Sequence, residues 1–415
     1  MDAARLWGSA DYTHRLGEVS WMASTAVLMH LNERATGDPA RDWLSSWAHR
    51  YFVGQDLRVL VLGCGEGWLE RTVSEWSFVS RIDALDFAEA AVARARARGG
   101  PKIRYSVADL NRDTLEAGAY DVVVAHSILH HVEKLEHAFE QVERAMKPEA
   151  TFIVNEYIGP NRFQFSDEIL AIVNDLLRCL PAQLRHGALE DRVYEARERP
   201  TIDQMIANDP SEAVRASDLM PMIRQRFDVL EVKQLGGTIL MHLLYDIVQN
   251  FRFDDPHERG AIELLCSLEG ALIDRGSIPS DFAILAARKK GARTPKSAYR
   301  RPLPPRPEAS KDIEADPLGF GPRRPAVRGQ REALQPWMLR VLRVALASSR
   351  PRRANLIDER RLNAFIEQLR CAASRAAPFE WIIARWSAHD DDATIAALLA
   401  AMDRIAARHG LLGAR

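Results

Sequence analysis

Four residues in two short segments carry side chains suited to moving a proton or holding a hydroxyl. His130 and His131 stand together in Ile128-Leu129-His130-His131, and Glu156 and Tyr157 in Asn155-Glu156-Tyr157. Histidine titrates near neutrality, so it can take a proton from a weakly nucleophilic hydroxyl. A carboxylate or a phenol beside it can bind or orient that hydroxyl. The first segment follows, and the second ends, an apolar run that reads as a buried strand, Tyr120–Ala125 and Thr151–Tyr157 respectively. Ligands of open parallel sheets bind beyond the carboxyl ends of the strands, where these residues fall. Of the two adjacent histidines, one is expected to face the pocket and the other away from it. Gly159-Pro160 breaks the second strand, and Arg162 just beyond it is a candidate to hold an anionic group. His242, on a helix after Gly236-Gly237, is a more remote candidate for the same pocket.

A second constellation lies upstream. Arg58-Val59-Leu60-Val61-Leu62 reads as a buried parallel strand that breaks at Gly63-Cys64-Gly65-Glu66-Gly67 and re-enters as a helix at Trp68. Such a turn presents backbone N–H groups and a helix N-terminus to a ligand, and side chains there would hold the ligand off. The dinucleotide fingerprint G-x-G-x-x-G would need glycine at position 68, where Trp68 stands. Asp86 ends the next strand, 23 residues after Gly63, near the spacing at which an acid reaches a ribose diol. A third strand, Ile103–Val107, runs into Ala108-Asp109-Leu110. A helix over Glu133–Met146, stopped by Lys147-Pro148, is expected to join the last two strands.

Gly63, Gly65 and Gly67 in strict alternation, followed in order by Asp86, Asp109 and the histidine segment, resemble class I methyltransferases that depend on S-adenosylmethionine (SAM). The resemblance covers about 57 to 290. It implies an α/β fold: a Rossmann-like seven-stranded sheet with a reversed final strand pair, N-terminal lid helices, a helical insertion after strand 5, and a separate C-terminal all-α region. It implies SAM as cofactor, held by Gly63, Cys64, Gly65, Glu66, Gly67, Asp86, Phe87, Ala108, Asp109, Leu110, His126 and Ser127. His126 and Ser127 would meet the methionine part. His130 occupies the position of a general base in some related small-molecule methyltransferases, with His131 next in rank, and Glu156 and Tyr157 would orient the acceptor. Arg162 and His242 would touch substrate. No metal site is expected. The family usually carries an acid two residues before the first glycine; Val61 stands there, and Glu66 is the candidate substitute. Glu70, one helical turn on, is expected to face solvent or to pair with the neighbours of Arg71.

The phrase Asn155 to Gln164, with Ser211–Arg215 and Gly236-Gly237-Thr238, resembles a bacterial subgroup found alongside glycosyltransferases. That implies O-methylation of a sugar, a glycan intermediate or another hydroxylated small molecule. Two alternatives stand beside it: an RNA methyltransferase using a basic segment, and a non-catalytic SAM-fold protein that binds a partner.

The 415 residues suggest more than one domain, and 47% apolar with 27% charged residues is a globular composition. No apolar run approaches the length of a membrane span, and the N-terminus lacks a signal-peptide core. Cys64, Cys179, Cys266 and Cys371 have no pair spacing, which argues against a disulfide framework or structural zinc and makes a cytoplasmic location the default. Residues 1–56 read as a helical lid, with a helix over Val19–Asn32 and with Tyr12, His14 and Trp21 as contacts; Trp43, Trp47, Tyr51 and Phe52 read as packing on the sheet. The insertion covers about 160–226. Arg288–Arg353 holds 18 Lys plus Arg against five Asp plus Glu; with its prolines, 291–330 reads as a linker. Residues 331–415 read as a helical domain suited to a homodimer or a protein partner. Nucleic acid is the less favoured partner, because no aromatic-interleaved basic platform is present.

Overall fold

The computed structural model describes residues 2–292, apart from 181, 255 and 275. The linker and the C-terminal helical domain read from the sequence lie outside the described residues. The chain opens with helices α1 (Ala3–Trp7), α2 (Ala10–Val19), α3 (Thr25–Thr36) and α4 (Trp43–Tyr51). The expected helix over Val19–Asn32 is broken: Ser20 and Ser24 are extended, and the Ser20 hydroxyl accepts from the Met22 amide. A serine that caps competes with continued helix, so a 3₁₀ turn, Trp21–Ala23, separates α2 from α3.

Strands and helices then alternate: β1 (Leu57–Leu62), α5 (Trp68–Ser74), β2 (Val79–Asp86), α6 (Glu89–Ala97), β3 (Ile103–Val107), β4 (Tyr120–His126), α7 (Leu135–Ala145) and β5 (Met146–Tyr157). Lys147-Pro148 does not separate helix from strand; Met146 already pairs with Tyr120, and Pro148 lies inside β5 where the register slips. The insertion supplies α8 (Asp167–Cys179), α9 (Ile202–Asn208) and α10 (Leu219–Arg226). The described residues close with β6 (Phe227–Gly236), α11 (Leu240–Leu244), α12 (Pro256–Asp274) and β7 (Phe282–Lys289). The expected helix over Ile239–Val248 is limited to α11 and a later 3₁₀ turn, Val248–Asn250. α12, the longest helix described, was not anticipated.

The seven strands form one sheet in the order β3-β2-β1-β4-β5-β7-β6. Neighbours are parallel from β3 to β5, and β7 is antiparallel to both β5 and β6. Only β7 is therefore reversed; β6 runs with the rest at the edge. Because the sheet is covered on both faces, β1 and β4 carry unbroken apolar runs rather than alternation. One face packs against α4, α5 and α6 through Trp47, Phe52, Leu69, Val73 and Val92. The other packs against α7 and α10 through Phe139, Val142, Leu219 and Ile223. A third core joins α8, α11 and α12 with Trp21 and Val27 of the N-terminal segment. Consecutive strands run outward from β1 to β3 and then start again at β4, so a crevice opens between the carboxyl ends of β1 and β4.

Candidate active site

The first wall of that crevice is the turn after β1. Gly63, Gly65 and Gly67 have φ of +70°, +51° and +78°, the left-handed region that side chains resist. Two of them are also fixed by packing. A Cβ on Gly63 would lie 2.5 Å from the Ile128 Cβ, and one on Gly67 would lie 2.4 Å from the Tyr105 hydroxyl. Above Gly65 the space is open: an added Cβ would meet nothing within 4 Å. Asp86 stands beside the turn, accepting from the Gly65 amide at 2.8 Å and the Ala88 amide at 2.9 Å. Burial raises its pKa, and those amide bonds oppose the rise. The ends of β1, β2 and β3 are adjacent through their pairings, so Asp86 and Asp109 lie along one rim.

The rest of this rim follows expectation unevenly. Phe87, Ala108 and Asp109 are half-buried and Leu110 is buried. Asp109 accepts from the Asn111 amide and side chain at 2.9 Å, so it also fastens its own loop. Glu66 turns outward to Arg94 at 2.8 Å and Arg98 at 3.0 Å, and so does not replace the acid missing at Val61. Cys64 is buried with its thiol pKa pushed well up by burial, an unreactive filler. Glu70 corrects the expectation of a solvent-facing residue: it is fully buried, neither oxygen has a hydrogen-bond partner, and burial pushes its pKa up to about 8. His126 is held between the rings of Trp43 at 5.1 Å and Trp68 at 5.6 Å. Burial lowers its pKa, and its Nδ1 lacks a partner. Ser127, φ +53°, turns the chain out of β4 while its amide bonds the Asn155 carbonyl.

The second wall is built around the paired histidines. Glu156, fully buried on β5, accepts from the Leu129 amide at 2.6 Å and also from Ile128 through one oxygen. Its other oxygen lies 2.7 Å from His130 Nδ1. A carboxylate accepts only, so Nδ1 carries the proton and Nε2 is left with its lone pair when the ring is neutral. Nε2 faces Glu212 Oε1 at 3.5 Å. Burial pulls the His130 pKa down, but Glu156 and Glu212 more than offset it, leaving it raised. His131 has no carboxylate in hydrogen-bond contact, Asp209 lying 3.9 Å from its Nδ1, and it falls well below the usual histidine range, through burial first and the His130 charge second. Its Nδ1 lies 3.1 Å from the Ser211 hydroxyl, which in turn donates to Asp209 at 2.7 Å. Burial also raises the Glu212 pKa.

α1 closes over this wall. The Trp7 ring meets His131 edge-on at 4.9 Å, and its indole N–H donates to Asp209 at 2.8 Å. Tyr12 packs on Trp7 at 5.6 Å. Arg94 on α6 reaches the Gly8 carbonyl at 2.8 Å, tying the same segment to the cofactor side. Of the other lid candidates, His14 pairs with Glu18 at the surface and Trp21 is buried against Phe282.

Three expected contacts do other work. Tyr157 is buried, with its hydroxyl bonded to the Pro160 carbonyl, so it is a packing residue rather than one that orients an acceptor. Arg162 bonds the carbonyls of Glu212 at 3.0 Å and Asp209 at 3.5 Å, bracing that loop instead of presenting a free cation. His242 stacks on Phe165 at 3.8 Å, and burial lowers its pKa to about 3. Conversely, Trp7, Asp209, Ser211 and Glu212 were not read as site residues. Asp209-Pro210-Ser211-Glu212 carried a signal, a polar turn with two acids inside an otherwise amphipathic insertion.

The strand order, the glycine turn and the acid beside it are arranged as the resemblance to SAM-dependent methyltransferases implies. Residues 60–154 match the family model described as "Methyltransferase domain". Among curated proteins the chain is similar to malonyl-[acyl-carrier protein] O-methyltransferases. That of Bacillus anthracis is 34% identical over 89 residues, covering 21% of this chain and 33% of the relative. That of Halalkalibacterium halodurans is 27% identical over 192 residues, 43% of this chain and 66% of the relative. The chain thus spans between a third and two thirds of these relatives' length. Among solved structures, a SAM-dependent methyltransferase from Mesorhizobium loti is 22% identical, with a TM-score of 0.35, over 60% of this chain and 97% of that one. The residues present suit the cofactor: an open cradle over Gly65, an acid beside it, and an orphaned buried nitrogen on His126. No helix among the described residues is long and apolar enough to cross a membrane.

Proposed function

We propose that this chain transfers the methyl group of SAM to a hydroxyl oxygen of a sugar, a glycan intermediate or another hydroxylated small molecule. The observation that carries the reading is the buried His130–Glu156 pair, set on the same sheet edge as the open glycine turn. SAM supplies an activated methyl group. The protein must hold donor and acceptor in line, exclude water and deal with the acceptor's proton.

The amides of residues 63–67, Asp86, Phe87, Ala108, Asp109 and Leu110 would hold the adenosine side, and His126 and Ser127 the methionine side. Glu156 is a positioning residue: it fixes the His130 tautomer so that Nε2 can take a proton from the acceptor hydroxyl. His131, turned toward Ser211 and Asp209, shapes the wall beside it. The curated relatives are named for a malonyl acceptor. Here Glu156, Asp209 and Glu212 surround the two histidines, and two buried acids with a half-buried third disfavour a carboxylate acceptor and favour a neutral hydroxyl.

The test is to incubate the full-length protein with SAM and separate acceptors: simple sugars, nucleotide sugars and a malonyl thioester. Release of S-adenosylhomocysteine and the acceptor's gain of one methyl group are read by mass spectrometry. Turnover with a hydroxylated acceptor is expected. Turnover with the malonyl thioester alone, or failure to bind SAM in calorimetry, would overturn the reading.

A further inference from the structure

The acceptor wall holds more carboxylate than a proton relay needs, and two histidines converge on it. One ligand atom from each of His130, His131 and Glu212 lies within 4.8 Å of the other two. We propose that these three residues form a site for a borderline divalent cation of the Zn²⁺ class, with a coordination position left for water or an acceptor oxygen. The inference rests on the methyl-transfer reading and deepens it: with the ion bound, His130 Nε2 is a ligand and not the base, and an acceptor hydroxyl at the open position would give up its proton because the ion lowers its pKa.

Four observations carry it. The first is spacing. His130 Nε2 and Glu212 Oε1 face each other at 3.5 Å, too long for a good hydrogen bond. It suits two ligands of a tetrahedral ion, whose bonds of about 2.1 Å place neighbouring ligand atoms roughly 3.4 Å apart. The second is the state of the rings. Glu156 takes the His130 Nδ1–H, so in the neutral ring, the form that binds a metal, the lone pair sits on Nε2. The Ser211 hydroxyl spends its proton on Asp209 and therefore accepts from His131 Nδ1–H, which leaves the lone pair of His131 on Nε2 as well.

The third is the surrounding layer. Histidines that bind metals usually donate their other N–H to a carboxylate or a polar group, and here Glu156 serves one ring and the Ser211–Asp209 pair the other. The fourth is charge. Glu156, Asp209 and Glu212 converge with side-chain exposures of 0%, 4% and 18%. The nearby Arg162 is bound to main-chain carbonyls rather than to these carboxylates. A cation between the rings and Glu212 would compensate them. Two imidazoles and a carboxylate suit Zn²⁺ better than Mg²⁺ or Ca²⁺, which prefer all-oxygen sites. The sequence concealed the set because Glu212 lies 81 residues after His131, far from any short ligand spacing.

The test uses full-length protein stripped with a chelator and titrated with Zn²⁺ in a calorimeter and with Co²⁺ in a spectrometer. One tight equivalent is expected, with the intense visible bands of four-coordinate cobalt. Glu212→Gln and His131→Gln should each abolish that equivalent while circular dichroism stays unchanged. Ser211→Ala, which touches only the outer layer, should weaken it about tenfold. Absence of the equivalent, or its survival in either Glu212→Gln or His131→Gln, would overturn the site; if either variant fails to fold, Ser211→Ala decides, and unweakened binding there would overturn it. SAM titration of the stripped protein separates the two proposals. SAM binding without a Glu212-dependent cation sinks the cation site alone, and cation binding without SAM binding sinks the methyl-transfer reading alone.

Discussion

The two walls of the crevice are built in opposite ways. Most of the cofactor wall comes from one continuous stretch, Gly63 to Leu110, with His126 and Ser127 added from the end of β4, and it works mainly through backbone: left-handed glycines, amides on Asp86 and an open space above Gly65. The acceptor wall is assembled from α1, the loop after β4, the end of β5 and residues 209–212, and works through buried charge. A cofactor shared by a whole family can be met by a local, backbone-made cradle. An acceptor peculiar to one protein is met by side chains gathered from distant parts of the chain, where substitution is free to change the chemistry.

That contrast predicts that the walls fail separately. The largest effect is expected from Glu156→Gln. The amide can still accept from Ile128 and Leu129, but it donates to His130 Nδ1 and forces the ring proton onto Nε2. Methyl transfer should fall by about 100-fold or more, while the SAM dissociation constant stays within about twofold. An equal loss of SAM affinity would show that the walls are one unit.

Glu70 is the exception that sharpens the contrast, an unpartnered acid beneath the backbone-made wall. Its pKa is raised from 4.5 to about 8. Below pH 4.5 it is protonated folded or unfolded, and its contribution to stability is fully present. As pH rises toward 8 the unfolded chain ionises and the folded one does not, so stability falls. Glu70→Gln should remove that fall, which is on the order of a few kcal/mol, in urea unfolding measured across this range. A variant with the same pH slope as the parent would refute the assignment.

Asp86→Ala should act in the reverse sense to Glu156→Gln. Freeing the Gly65 amide loosens the cradle and should weaken SAM binding about 10- to 100-fold, or roughly 1.4 to 2.8 kcal/mol. Turnover at saturating SAM should change by no more than about threefold. Unchanged SAM affinity would remove Asp86 from the cofactor wall.

Legibility in the sequence divides along the same line. Strand order, the glycine turn and the position of Asp86 were readable because each depends on neighbours in the chain: an apolar run, a breaker, then a helix. Local readings failed where a partner decided the matter. Glu66 looked available until Arg94 and Arg98 on α6 took it, and Tyr157 looked catalytic until the Pro160 carbonyl did. Glu70 looked solvated because nothing in Trp68–Ser74 reveals which side of α5 meets Tyr105 and Cys64. The helix expected over Val19–Asn32 broke at Ser20, whose hydroxyl caps the following turn, and at the extended Ser24, neither of which local periodicity registers.

By itself, then, the sequence determined the parallel sheet, the crevice at its carboxyl edge and the backbone cradle for SAM, since hydrophobic runs and glycine φ preferences act over a few residues. Which histidine is gripped, by which acid, and beneath which helix was decided only by tertiary structure. Trp7, His131 and Glu212 are strangers along the chain, and the fold alone brings their side chains into one low-dielectric pocket where charge, proton and lone pair become interdependent.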